Sequence, residues 1–279
     1  MLDRAVLGLS VYSPKRFSFQ TGGNWQAAQF WRYPATDRPR TAVQGALLMN
    51  ALPPLSIELS TPADAQASGL VTEMASLLAP SYVDCTAVLA RELDHCDRLY
   101  LARDVQGRLA TFFLTAFEDV TVEGTVVPTA YLGLSAARPD LKNSGVVRQL
   151  YEAFLIDAGK KEVATCRQLV LWFTTATPSA YKAGQVLFAD VEPAVDGSYR
   201  TTSVALAAAL RYRLHAATGA HPFVLKGIAD RTRYSADEVE RIRLVNQRHG
   251  FHLLADLGVE ESQGDRLLVI AKVPACYRQ

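Results

Sequence analysis

The sequence predicts a mixed α/β (α+β) domain, a mainly antiparallel sheet flanked by helices, with an N-terminal arm before it and an insertion ahead of its last helix. Three observations carry this. Val126 to Leu134 reads as a strand that passes through a polar loop, Arg138 to Gly145, into a helix. Gln168 to Phe173 is a continuous apolar run, as expected of a central strand covered on both faces. Ahead of both lies a strand, two helical pieces and a hairpin.

Taken in order, residues 1–54 carry Tyr12, Phe17, Phe19, Trp25, Phe30, Trp31 and Tyr33 among Gly22-Gly23, Pro34 and Pro39, without periodicity. They are expected to form an arm whose aromatic side chains fill a seam against the domain at 55–279; a lid over a substrate pocket is the other reading. Leu55 to Leu59 alternates as a strand. One helical region is expected from Pro62 to Leu78, with Thr61 as cap and Leu70, Met74, Leu77 and Leu78 as its stripe. A second covers Thr86 to Cys96. The hairpin joins Arg98–Arg103 to Arg108–Phe117 through Gln106-Gly107, which supplies the positive φ of a tight turn. Glu118 to Gly124 is expected to turn into the Val126 strand.

The helix after the loop has apolar residues at Val147, Leu150, Tyr151, Phe154, Leu155 and Ala158, spaced to place one stripe on a core. Asn143 or Ser144 is the expected N-cap, and Gly159 with Lys160 and Lys161 the expected stop. Short helices are expected over Ser179–Phe188 and Val204–His215, a loop over 191–198 and a strand over Phe223–Ile228, the insertion spanning about 190–235. Ser235-Ala236-Asp237-Glu238 is a capping box for a helix closed by Gly250. Phe251–Leu254 and Arg266–Val273 complete the chain as a pair of strands.

A strand that hands directly to a helix leaves the first helical N–H groups without partners. With the positive end of the helix dipole they form a site suited to phosphate, and Lys142 stands where its ammonium adds to the attraction.

A net charge of +1 over 279 residues gives no electrostatic reason to expect nucleic acid or an anionic membrane. The N-terminal apolar run is too short for a secretory signal, and no stretch approaches the roughly 20 apolar residues of a membrane span. Cys85, Cys96, Cys166 and Cys276 form no C-x-x-C pair, so reduced thiols and a cytoplasmic location are expected. His95-Cys96 has no neighbour at ligand spacing, and no metal is expected. No Ser-His-Asp order, P-loop, Rossmann fingerprint or H-E-x-x-H motif occurs.

The element order resembles that of the GNAT N-acetyltransferase superfamily, whose domain runs strand, two helices, three strands, helix, strand, helix, two strands. The family's acyl-CoA loop, P-E-x-R/Q-G-x-G-x-G/A, aligns without a gap on Pro139-Asp140-Leu141-Lys142-Asn143-Ser144-Gly145-Val146-Val147. Lys142 replaces Arg or Gln, Asn143 stands at the first glycine, Gly145 keeps the middle one, and Val147 takes the place of the last. Gln247-Arg248-His249-Gly250-Phe251 resembles the family's final helix and its G-F step. Alternatively Pro178 to Phe188 is the family's fourth helix and the later pieces are additions.

The resemblance implies transfer of an acyl group from acetyl-CoA or a longer acyl-CoA, or from the phosphopantetheine of an acyl carrier protein, to a small-molecule amine or hydroxyl acceptor by direct attack. Val147 motivates the carrier variant, since one phosphate needs less room than a pyrophosphate. The implied donor cradle is Lys142, Asn143, Ser144, Gly145, Val146 and Val147, with Leu134, Ser135 and Ala136 pairing with the pantetheine amides. Tyr181 is the implied acid for the departing thiolate. Glu118, with Asp119, is the implied base, and Tyr131 and His249 are further candidates. The competing reading is a catalytically inactive relative that binds but does not turn over; an unrelated fold would lack a gap between the fourth and fifth strands.

Overall fold

A computed structural model describes residues 55–142, 144–229, 234–249 and 251–278, without the side chains of residues 248 and 249. The arm expected over 1–54, Asn143, the His249 side chain and Gly250 lie outside these.

β1 (Ser56–Ser60) opens the described chain, followed by α1 (Pro62–Ala67), α2 (Leu70–Leu78) and α3 (Cys85–His95). The single helix expected over 62–78 is two, because Gly69 adopts φ +76° and breaks the hydrogen-bond ladder. Thr61 caps α1 as expected, accepting from the Asp64 N–H. β2 (Arg98–Arg103) and β3 (Leu109–Val122) form the expected hairpin. Asp104 Oδ1 accepts from the N–H groups of Gln106 and Arg108 to fix its turn. The turn expected over 118–124 is shorter. β3 stays paired with β4 (Thr125–Ala137) through Val122↔Thr125, and Glu123-Gly124 alone reverses the chain.

A 3₁₀ turn at Pro139–Leu141 leads to α4 (Val146–Thr165). The expected stop at Gly159 does not occur, and the helix runs to Cys166, which closes it at φ +50°. Gly159 is a close-approach residue instead: a Cβ there would lie 1.8 Å from the Tyr277 carbonyl oxygen. β5 (Val170–Thr175) and α5 (Pro178–Leu187) follow, the helix capped by Thr177 Oγ1 accepting from the Ala180 N–H. The segment expected as loop begins with a strand, β6 (Ala189–Glu192), and leads to α6 (Thr201–Arg213), β7 (Ala217–Thr218) and β8 (Val224–Lys226). α7 (Ala236–His249) has its expected Ser235 cap, Oγ accepting from the Glu238 N–H at 3.2 Å. Phe251–Leu254 is not a strand. Its apolar residues are buried from a short helix, α8 (Leu253–Asp256), an ambiguity inherent in four-residue apolar runs. β9 (Arg266–Lys272) ends the sheet.

The sheet order is β1-β2-β3-β4-β5-β9-β8-β7, with β6 also on β9. Every pairing is antiparallel except β4 with β5. One face packs on α1–α3 through Met74, Leu78, Leu89, Leu99 and Leu114. The other packs on α4–α6 through Phe154, Leu155, Tyr181 and Leu210. No helix among the described residues is long and apolar enough to cross a membrane.

Candidate functional site

Two irregularities of β4 build the site. The first is the end of its pairing. β4 and β5 pair over Thr129–Tyr131 against Val170–Trp172 and no further, although β4 continues to Ala137 and β5 to Thr175. Six residues of β4 thus lack a strand on that side, a stretch of roughly 20 Å at the usual rise per residue. The second is a bulge. Phe113 pairs with Ser135 but Thr115 with Leu132, so Leu114 alone faces Gly133 and Leu134. The extra residue reverses the alternation. Leu132 packs in the α4 face while Leu134, two residues on, packs in the α2–α3 face. Tyr131 before the bulge faces α3, and Ser135 after it faces α4, its Oγ 3.4 Å from the Tyr151 hydroxyl.

The gap opens into a cavity of about 820 Å³ that reaches from the head of α4 to Tyr131. At its wide end α4 starts after Gly145, which sits at φ +93° with no side chain capping the helix. The N-cap expected at Asn143 or Ser144 is not used. Ser144 turns its hydroxyl to the Leu141 carbonyl at 2.7 Å, so the first helical amides have no capping side chain. Gly145, Val146 and Val147 line the cavity, Val147 half-buried against Ala137 and Leu141. Lys142 lines it too, but its ammonium already has neighbours: Ser81 Oγ at 3.4 Å and Glu238 Oε2 at 3.9 Å. Glu238 is buried at the start of α7 and holds Arg241 in a two-pronged ion pair. The α7 entry is fastened across this end. Ser235 N–H donates to the Ser81 carbonyl, Ser235 Oγ to the Pro80 carbonyl at 2.9 Å, and Tyr234 packs on Tyr82.

At the narrow end Tyr131 lies between Trp172, 4.5 Å between ring centres, and His95, 4.9 Å. Its hydroxyl donates to Glu92 Oε2 at 3.0 Å. Burial, and then the Glu92 carboxylate beside it, push its pKa well above the ordinary tyrosine value. Tyr131 is therefore a neutral donor. Glu92 is 5% exposed and is approached from the other side by Arg91 at 3.0 Å. Glycine at 133 makes room for it: a Cβ there would stand 2.9 Å from Glu92 Oε2.

The structure brings Tyr131, Leu134, Ser135, Ala136, Lys142, Gly145, Val146 and Val147 to one cavity. It leaves two expected chemical groups outside it. Tyr181 is fully buried beneath α5, its hydroxyl donating to the Pro193 carbonyl at 2.7 Å and accepting from Gln185 at 3.1 Å. Burial pushes its pKa up to about 12. Glu118 stands opposite Thr129, where β4 is still paired with β5 and away from the gap, accepting from Trp172 Nε1 at 3.2 Å and paired with Arg213. Asp119 beside it is exposed, near Arg167. Reading by position along β3 placed this acidic pair near the reaction, whereas the gap opens toward the opposite end of β4. Cavity residues not read as part of a site from sequence include Glu92, Arg241 and Glu238, the last expected only as a capping-box residue. Glu92 left one signal, a charge at a core-facing position beside Val88, Leu89 and Leu93 on α3.

No protein-family model matches the sequence, and neither does any curated protein. Among solved structures, the ribosomal-protein-S18-alanine N-acetyltransferase of Escherichia coli matches at 13% identity over 79% of this chain and 94% of its own, with a TM-score of 0.42. A conserved protein of Enterococcus faecalis V583, described as a probable N-acyltransferase, matches at 14% identity, TM-score 0.37, over 49% of this chain. The match spans 32% of that Enterococcus chain. A GNAT family N-acetyltransferase of Escherichia coli in complex with CoA matches at 17% identity, TM-score 0.34, over 46% of this chain and 66% of its own. Independently of these, the strand order, the parallel β4–β5 pair that opens into a gap and the helix at the head of that gap make this a GNAT-like fold.

Proposed function

We propose that the chain is a divergent member of the GNAT superfamily that moves an acyl group from a pantetheine thioester to an amine or hydroxyl acceptor. The observation that carries this is the gap itself. Unpaired β4 backbone lies along it, helical N–H groups without a side-chain cap lie at one end, and polar groups lie at the other. An extended pantetheine arm has amides to pair with β4 and a phosphate for the α4 terminus. Its thioester carbon then lies near Tyr131.

For this chain the donor is acetyl-CoA, a longer acyl-CoA or the phosphopantetheine of an acyl carrier protein. Val147 and the Lys142–Glu238 pair favour an arm with less negative charge than CoA, because Glu238 opposes a pyrophosphate where Lys142 attracts it. The same pair favours the second reading, a non-catalytic binding protein. Calorimetric titration with acetyl-CoA, longer acyl-CoAs and acylated carrier protein tests donor binding, and thiol release across a panel of amines and alcohols tests turnover. Binding with release supports the transferase. Binding without release to any acceptor selects the second reading, and binding of no thioester removes both.

A further inference from the structure

We infer that Glu92 accepts the proton of the incoming nucleophile, and that the nucleophile is an amine arriving from the α3 side of the gap. This rests on the acyl-transfer reading above and names the group that serves it.

A carboxylate at a core-facing position is costly unless something is gained from it. Glu92 is such a group. It is 5% exposed on a helix face otherwise filled by Val88, Leu89 and Leu93. Its carboxylate borders the cavity at the bulge of β4, against Gly133, where β4 leaves β5 and the thioester of an arm laid along the gap comes to rest. Tyr131 and Arg91 each donate one hydrogen bond to it, one per oxygen, which fixes the carboxylate plane and leaves each oxygen a further lone pair. Neither partner consumes the charge by burying it: the Arg91 side chain is 51% exposed. The groups facing Glu92 are Tyr131 from β4, Arg91 from α3, Cys96 after it and Tyr82 from the loop after α2, with His95 edge-on to the Tyr131 ring. Arg91 is the fixed positive charge among them. Tyr131 is the positioning residue: its raised pKa keeps it protonated as donor.

The ammonium form of the acceptor gives one proton to Glu92, and the freed nitrogen lone pair forms a bond to the thioester carbon. The tetrahedral adduct collapses, the C–S bond breaks with its electron pair on sulfur, and the second nitrogen proton passes to the thiolate. The products are an amide and a thiol, and Glu92 returns its proton to solvent. A negative group at this point also selects for a cationic acceptor over a neutral alcohol.

The test is Glu92→Gln, which keeps the shape and an acceptor for Tyr131 but removes the basic carboxylate. Donor affinity is measured by calorimetry, and kcat with an amine acceptor across the acid-to-neutral range. Expected are unchanged donor affinity, a kcat loss of about 10²–10⁴-fold, and loss of the acid limb that the wild type shows; His95→Gln keeps that limb. Tyr131→Phe lowers kcat by less than Glu92→Gln does. A Glu92→Gln enzyme that binds the donor and retains kcat within a few-fold overturns the assignment while leaving acyl transfer intact. If that variant fails to bind, the wild-type profile decides: kcat flat through the acid range overturns the assignment, and a one-proton limb kept by His95→Gln supports it. Wild type that releases no thiol with any acceptor overturns the Glu92 assignment and the acyl-transfer reading together.

Discussion

Gly159 and Asp104 show how far single residues constrain this chain. On α4, Gly159 touches the Tyr277 backbone so closely that any side chain collides with main chain rather than with a movable tip. Gly159→Ala is expected to cost about 1–3 kcal/mol, as overpacking does, read as a lower denaturant midpoint at unchanged slope. From sequence this glycine reads as a helix stop because its partner lies more than a hundred residues away. Asp104 is buried beneath the β2–β3 turn, and the Arg138 guanidinium, then Arg108 and the turn amides, hold its carboxyl well below the usual range. A folded pKa below the unfolded value of about 3.9 means this contribution is present above that pH and is lost as pH falls through the folded value. Asp104→Asn should lower stability at neutral pH and flatten the acid part of the stability curve below about pH 4. Urea unfolding at several pH values checks both; an unchanged acid slope contradicts it.

At the scale of elements, the periodic helices and the hairpin were legible because their residues report directly on which face is buried. α3, β2, β5, α5 and the Ser235-capped α7 all stand close to where their patterns place them, and α4 begins where its pattern does but runs past Gly159. The bulge in β4 was not legible: Tyr131 to Ala137 alternate no differently from a regular strand, and only pairing with Leu114 shows the extra residue. The partner of Lys142 was hidden for a related reason. Glu238 follows it by 96 positions and reaches the head of α4 only because the α7 entry is fastened to Pro80 and Ser81. On the proposed acyl-transfer reading this element sets a donor preference. Removing the Glu238 charge leaves Lys142 to the donor, so Glu238→Gln is expected to tighten CoA binding by up to about fivefold, the worth of a partly exposed ion pair. Calorimetric titration reads this, and weaker binding contradicts it.

For the sheet as a whole, eight pairings close the backbone hydrogen bonds of nine strands, and one pairing stops early. The mixed, mainly antiparallel class and the consecutive β2–β3–β4 hairpins followed from the sequence. The additional strands β6 and β7 did not, being four and two residues long and too short to show a period, while β8 lies within the strand expected over Phe223–Ile228. The site that the notched sheet creates was half visible. The loop and β4 residues pointed to the end of the gap proposed for the donor, while the end proposed for the acceptor depends on α3 lying over the bulge, which no local pattern encodes.

The β4–β5 gap as the seat of the donor arm is the claim on which the rest depends, and amide hydrogen exchange tests it most directly. With a saturating acyl-CoA or acylated phosphopantetheine, amides of residues 132–137 and of the first turn of α4 should exchange more slowly than in the free protein. Exchange at β1 and β2, on the far side of the sheet, should not change. Protection confined to other segments, or none in 132–137 while the thioester is bound, contradicts the account.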